Sequence, residues 1–417
     1  MTHQLSRRAM LGTVLAGLTA LALPARAATD KVRVAFIDPL SGGGAIAGEH
    51  GARHFRFLID KINAAGGVLG GTPLELVVYD NKSAVQDTLI QAQKAIDAGT
   101  RIIVSGFGSN VALGLSDFLQ KHNSRNPEAQ AMFLNYGTID PALTNEKCSY
   151  WHFRFDADAE IKMHALTSFI RDRKEISKVY VIGQDYSFGQ AVRASARRLL
   201  AEKRPDIAIV GDELHPLLKV NDFAPYIAKI KASGADSVIT GNWGQDLALL
   251  LKAAADAGLK VDWYTFYAGL AGSPTAVRQT GLDHRIYQVV EWHSNVPGKE
   301  MQDLNAEFRW RYDGKGWWYL RAKTAMDMLV KAIDTAKAVD AAKISAAMEG
   351  MRIKNALGAE VWMRKDDHQA FQDLYVASFG SGVPVDEEGT GWGWKTVATI
   401  AAADTLTRTV CQMDRPS

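Results

Sequence analysis

From residue 32 onward, short apolar runs rich in β-branched residues alternate with longer segments of helical period, and this alternation leaves the chain few folds to choose from. The runs lie at 32–37, 74–79, 102–105 and 132–135, then at 179–183, 207–210, 237–240, 263–267 and 286–292. Helical-period segments fall between them at 49–64, 85–98, 111–122, 191–203, 223–232 and 247–257. Strand–helix–strand alternation of this length predicts parallel sheets covered by helices on both faces. A polar, aromatic stretch, Tyr150-Trp151-His152-Phe153-Arg154, divides the pattern into two similar halves. The expected architecture is therefore α/β, with two doubly wound parallel-sheet lobes. Beyond Lys299 the pattern is helical to about Gly350, then returns to strands at 374–379 and 394–400.

Strand direction sorts the loops into two classes. "GGVLGG" (66–71) leads into a strand, so it belongs to the edge opposite the one where such folds bind ligands. Gly66 or Gly67 can end the preceding helix in the left-handed conformation, and the second pair allows a sharp return. Loops that leave strands read "PLSGGGAIAG" (39–48), "GFGSN" (106–110), "NYGTIDP" (135–141), "GQDYSFG" (183–189), "GNWGQD" (241–246) and "YAGLAGSP" (267–274). They are rich in glycine, hydroxyl, amide and aromatic residues and contain no Lys or Arg. Glycines let a ligand approach the backbone, hydroxyls and amides orient it, and aromatics bury its apolar body. Three such loops per half predict a binding cleft between the lobes.

Bulk properties exclude several classes of function. With 48 Lys+Arg against 46 Asp+Glu, the formal charge is +2, too small for a nucleic-acid footprint. Ser6-Arg7-Arg8-Ala9-Met10-Leu11 opens an apolar run to Leu23 that ends in Ala25-Arg26-Ala27. A charged start, a core too short to span a bilayer and a small-x-small site resemble a cleaved twin-arginine-type signal over residues 1–27. The mature chain, from about Ala28, is expected in the periplasm with no membrane-spanning segment. In that oxidising compartment Cys148 and Cys411, the 2 cysteines of the chain, are expected to pair.

Catalytic motifs are missing. "GGGAIA" (42–47) fits a loose dinucleotide pattern, but no acidic residue ends a second strand at the spacing that ribose binding needs. No G-x-S-x-G, H-E-x-x-H or metal-spaced Cys/His pair occurs, so neither an enzyme nor a cofactor is expected. Asp366-Asp367-His368 reads as a solvated turn or a hinge. Trp317 and Trp318 precede a helix of apolar period and either pack in the core or line an interface. In "GFGSN", Ser109 and Asn110 suit a helix cap, and the same free N–H groups and hydroxyl suit a carboxylate or carbonyl.

"INAAGGVLGGTPLELVVYD" (62–80), "PALTNEKCSYWHFR" (141–154), "DYSFGQ" (185–190) and "KDDHQAFQDLYVA" (365–377) together resemble the periplasmic substrate-binding proteins of hydrophobic amino-acid ABC transporters, the branched-chain amino-acid binding type. The resemblance implies a type I periplasmic binding fold whose lobes are joined by three crossovers, near Phe155, near Trp292 and shortly after Val361. Lobe 1 would comprise 28–155 with 292–362, and lobe 2 156–291 with 363–417. It also implies hinge closure over a small molecule and docking on a membrane permease. The ligand-binding set it implies is Gly108, Ser109 and Asn110, then Tyr136, Gly137 and Thr138 from lobe 1. Lobe 2 would add Tyr186, Phe188, Asn242, Trp243, Tyr267 and Ala268. At Ala268 the family commonly carries an acidic residue that pairs with an α-ammonium group. Asp140, Asp185 and Asp246 sit where turn and cap roles are expected, so the ammonium loses its counter-charge. The expected ligand is therefore a hydrophobic or aromatic carboxylate or a neutral molecule rather than an ordinary α-amino acid. The loops' lack of Lys and Arg argues against phosphates and polycarboxylates. A sensor subunit of the same fold and, resting on "GGGAIA" alone, an exported dehydrogenase are the other classes open to such a chain.

Overall fold

The computed structural model describes residues 31–416; the expected export signal lies outside them. The first half comprises β1 (Val32–Asp38), α1 (Ala45–Ala64), β2 (Leu74–Asp80), α2 (Val85–Asp97), β3 (Ile102–Ser105), α3 (Ser109–Arg125), β4 (Met132–Asn135) and β5 (His152–Arg154). The second half comprises α4 (Ala159–Arg171), β6 (Lys178–Gln184), α5 (Ser187–Lys203), β7 (Ala208–His215), α6 (Ala224–Ser233), β8 (Ser237–Thr240), α7 (Gly244–Asp256), β9 (Asp262–Thr265), α8 (Ser273–Gln279) and β10 (Ile286–Val290). The chain ends with α9 (Lys299–Arg311), α10 (Leu320–Ala336), α11 (Ala341–Met348), β11 (Arg352–Lys354), β12 (Glu360–Met363), β13 (Ala370–Phe371), β14 (Leu374–Gly380) and β15 (Gly393–Ile400).

Two sheets result, of order β2-β1-β3-β4-β5 and β15-β14-β10-β9-β8-β6-β7. The first is parallel throughout, and the second is parallel except for β14 and β15 at one edge. Both faces of each sheet are buried, with a period of two along the strands. In β1, Val32, Val34 and Phe36 join the core under α1 and α10, while Ala35 and Ile37 join the core under α2 and α3. In β6, Val179 and Val181 face α4 and α5, while Tyr180 and Ile182 face α6 and α7. Apolar residues on both faces are what crossover helices on both sides demand.

Several features were not legible as elements. The stretch around Tyr150 contributes β5, the fifth strand of the first sheet, and its Arg154 is fully buried at the first crossover. Arg154 donates to Gln369 Oε1 (2.6 Å) and to Asp140 O (2.5 Å) and pairs with Asp158 (3.0 Å), so it ties the first crossover to the third. A small sheet, β11-β12-β13, continues to Phe371. Ala370 packs in the first lobe's core and Phe371 in the second's. Asp366-Asp367-His368 belongs to this arm: His368 is fully buried, stacks on Phe153 (4.0 Å) and pairs with Glu349 (3.0 Å). Asp366 alone of the three is solvated.

"GGVLGG" is a corner. Gly67 has φ +71°, and a Cβ there would stand 2.3 Å from Thr72 O, so only glycine closes the turn. Trp317 and Trp318 are buried against His50, His54 and Phe308, with Trp318 stacked 3.7 Å from His50. Cys148 and Cys411 form a disulfide, Cα atoms 5.7 Å apart, that fastens the C-terminal tail to the loop before β5. Among the described residues no helix is long and apolar enough to cross a membrane.

Candidate functional site

Strand order decides where a ligand can sit. In the first sheet the chain leaves β1 for β2 on one side and then crosses to β3 on the other; in the second, β6 leads to β7 and then to β8 across it. At such switch points the loops leaving neighbouring strands diverge and open a crevice. The two crevices face each other, and a cavity lies between them.

On the lobe 1 side, the end of β1 organises the wall. The Asp38 carboxylate is fully buried and accepts from Tyr136 Oη (2.5 Å), Ser105 Oγ (2.9 Å) and Gly106 N (3.0 Å). Burial pushes its pKa up to about 6 against those hydrogen bonds. With its hydroxyl committed to Asp38, Tyr136 lines the cavity with its ring. Gly106 must be glycine, because a Cβ would stand 2.5 Å from that ring. Gly108, at φ +84°, turns the chain into α3, whose first residue Ser109 lines the cavity. Asn135 Oδ1 accepts from Gly137 N (3.1 Å) and Thr138 N (2.8 Å) and so shapes the next loop. There Thr138 Oγ1 is buried without a hydrogen-bond partner.

On the lobe 2 side, Trp243 Nε1 donates to Tyr186 Oη (2.8 Å), locking two aromatics together beside Phe188. Contacts cross the cleft directly. Phe107 meets Trp243 edge-on at 4.8 Å, and Tyr267 Oη lies 3.2 Å from both Gly137 O and Asp156 Oδ2. The lobes are therefore closed on each other.

Gly108, Ser109, Tyr136, Gly137, Thr138, Tyr186, Phe188, Trp243 and Tyr267 all line this cavity. Asn110, Asn242 and Ala268 do not. Asn110 is exposed in the first turn of α3. Asn242 is fully buried and spent on His215, 2.8 Å from Nδ2 to Nε2. Ala268 is fully buried in the core beneath α7 and α8, so a longer side chain there would need the loop to move. Asp140 accepts from Ala142 N (2.9 Å), Asp246 from Gln184 Nε2 and Leu218 N (2.8 Å each), and exposed Asp185 from Gln190. Asp140 thus has the cap role expected of it, whereas Asp246 ties α7 to β6 and to the connection after β7.

Gly106, Phe107, Ile139, Leu270, Tyr319 and Arg321 also line the wall. Arg321 corrects the reading of a cleft without cations: it enters from the start of α10, outside all six loops. Its guanidinium donates to Tyr136 O (2.5 Å) and Glu291 Oε1 (2.7 Å) and stands 3.4 Å from Asp156, which also pairs with Lys162 (2.8 Å). Asp156, Glu291, Lys162 and Arg321 are all buried, two of each sign, and join the first two crossovers to both lobes. Burial pushes the Lys162 ammonium down, opposed by Asp156. "WWYLR" (317–321) carried the only sequence signal for Arg321, a basic residue at an apolar helix face. Among the described residues no group of three or more His, Cys, Asp or Glu side chains could hold a metal ion.

Known proteins share this fold. The periplasmic binding protein family matches residues 31–383. "Leu/Ile/Val-binding protein homolog 4" of Brucella abortus is 29% identical and aligns over 97% of this chain and 98% of its own length. The crystal structure of a leucine-, isoleucine-, valine-, threonine- and alanine-binding protein from Brucella ovis, in a closed conformation, superposes with a TM-score of 0.84 at 28% identity, covering 93% of this chain and 100% of that one. A solute-binding protein of an ABC transporter from Rhodopseudomonas palustris HaA2, in complex with p-hydroxybenzoic acid, shares the fold at a TM-score of 0.76 and 20% identity, over 89% and 98% of the two chains. The chain belongs to the periplasmic binding protein family, as a type I periplasmic binding protein of the branched-chain amino-acid kind.

Proposed function

We propose that the cleft binds a small hydrophobic or aromatic carboxylate, held at Ser109 and Thr138 and enclosed by Tyr136, Tyr186, Phe188, Trp243 and Tyr267. The observation that carries this reading is the composition of the wall: hydroxyls, free helix-start N–H groups and aromatic rings, with no carboxylate side chain among its lining residues. A ligand carboxylate would supply the acceptor that Thr138 Oγ1 lacks. An α-ammonium group would be buried there without a counter-charge, at a cost of several kcal/mol. Arg321 is already neutralised by Glu291 and Asp156, so it contributes a polar edge rather than a free charge. The Rhodopseudomonas palustris proteins in complex with p-hydroxybenzoic and 3,4-dihydroxybenzoic acids bind ligands of this class in the same fold.

The second reading is a binder of an ordinary hydrophobic amino acid, favoured by the names of the Brucella relatives. In either case the ligand would stabilise the closed form through contacts that only closure provides, and a permease would receive it. Export through a twin-arginine-type signal completes the proposal. Thermal unfolding of the mature protein, stripped of carried ligand by denaturation and refolding, separates the two ligand classes. A ligand at about 100 times its Kd adds roughly 2.7 kcal/mol. Benzoates or aliphatic carboxylates should raise the midpoint and their α-amino analogues should not; a rise with leucine or phenylalanine would transfer the site to the second reading.

A further inference from the structure

We propose that a second chamber, behind the cleft at the hinge, is a binding site for a small organic cation of the alkyl- or methylammonium type. This proposal is independent of the ligand assigned to the cleft. The chamber is divided from the cleft by Tyr267, Leu270, Tyr319 and Arg321, which line both. Four tryptophans, Trp292, Trp317, Trp318 and Trp394, line it further. The partition rings already carry cations: the Arg321 guanidinium lies 4.3 Å from the Tyr319 centroid and Lys162 Nζ 4.7 Å from that of Tyr267. Asp156 and Glu291 neutralise these two.

Glu387 is left over. It is 6% exposed, lines the chamber, and takes a hydrogen bond on Oε1 from Ser294, yet no basic side chain pairs with it among the described residues. Burial pushes its pKa up to about 7; Ser294 and Arg309 on α9 pull it down, and Glu388 and Asp386 push it up. Gln288, 3% exposed, also lines the chamber, and its amide has no hydrogen-bond partner among the described residues. Gly269 makes room for that amide, since a Cβ there would stand 2.7 Å from Gln288 Oε1. A carboxylate that forms no ion pair, an amide that lines the same chamber and a wall of aromatic rings suit one kind of guest, a compact ammonium group. An anion would meet Glu387, and a purely apolar guest would leave both polar groups unpaired. The wall draws on both lobes, so the chamber is assembled by the same closure that forms the cleft.

Calorimetric titration of the mature protein at pH 8 with methylammonium and tetramethylammonium chloride, against sodium chloride at equal ionic strength, tests this. Saturable 1:1 binding is expected, weakened about tenfold or more in Glu387→Gln and less in Gln288→Leu, and unchanged in Thr138→Val. Glu387→Gln conserves volume and removes an unpaired buried charge, so its thermal midpoint should not fall. Absence of saturable binding, undiminished binding in Glu387→Gln, or equal loss in Thr138→Val would each overturn the assignment.

Discussion

Replacing Arg321 with Met tests the buried charge cluster that joins the lobes. Arg321 is 3% exposed and carries ion pairs to Glu291 at 2.7 Å and Asp156 at 3.4 Å. Met fills much of its volume but leaves the Glu291 carboxylate with no basic partner within salt-bridge distance, and one of its oxygens, Oε2, is already unpartnered. Removing one partner of a buried pair costs about 3–5 kcal/mol, because the remaining charge stays desolvated. With an unfolding entropy of about 2.1 cal/mol/K per residue, a chain of roughly 390 ordered residues loses a little over 1 °C per kcal/mol, so the midpoint should fall by about 4–6 °C. The double variant Arg321→Met/Glu291→Gln removes the stranded charge and keeps the Asp156–Lys162 pair at 2.8 Å, so it should recover most of that loss. Differential scanning calorimetry of the ligand-free variants at pH 7 reads both effects. A single variant within about 1 °C of the parent, or a double variant no better than the single, would refute the view that these four residues act as one neutral unit.

Thr138→Val is nearly isosteric and removes a hydroxyl that the folded chain leaves unpaired; stability should hold or rise slightly while affinity for the cleft ligand falls about five- to tenfold, as fluorescence titration would show. Asp38 has its folded pKa raised from 3.8 to about 6, so between these values the folded state holds the proton more tightly than the unfolded one. Stability should therefore decline as pH rises from about 4 to 6, by about 3 kcal/mol from this group, and level off above. Asp38→Asn should flatten that slope in urea unfolding, and an unchanged slope would rule out Asp38 as its source. Cys411→Ser opens a link that spans 263 residues, but the tail beyond it is held by only a few bonds, among them Arg415 to Glu349 (2.8 Å). Hydrogen exchange should show the tail released locally, with a loss of global stability under about 2 kcal/mol, well short of the roughly 5–6 kcal/mol expected from loop entropy. A global loss of the larger size would place the tail inside the cooperative unit.

The alternation of apolar runs and helical segments was enough to establish the parallel core of two sheets, because strand and helix periods are local and crossover handedness leaves few ways to join them. Strand direction also comes from order along the chain, which is why the loops leaving β3, β4, β6, β8 and β9 were legible as the cleft wall. Which side chain of a loop enters the cleft was not legible. Asn242 turns to His215 and Ala268 turns into the core because packing beneath the loop, not the loop's composition, decides orientation. Arg321 reaches the wall from a helix that follows the second crossover, and Glu387 and Gln288 reach the hinge chamber from the 380–392 connection and β10. Residues so far apart in sequence meet only where the three crossing segments converge. Sequence determined the lobes and the edge that lines the cleft; tertiary packing alone decided how charge is paired at the hinge, because that depends on distances between segments that no local pattern records.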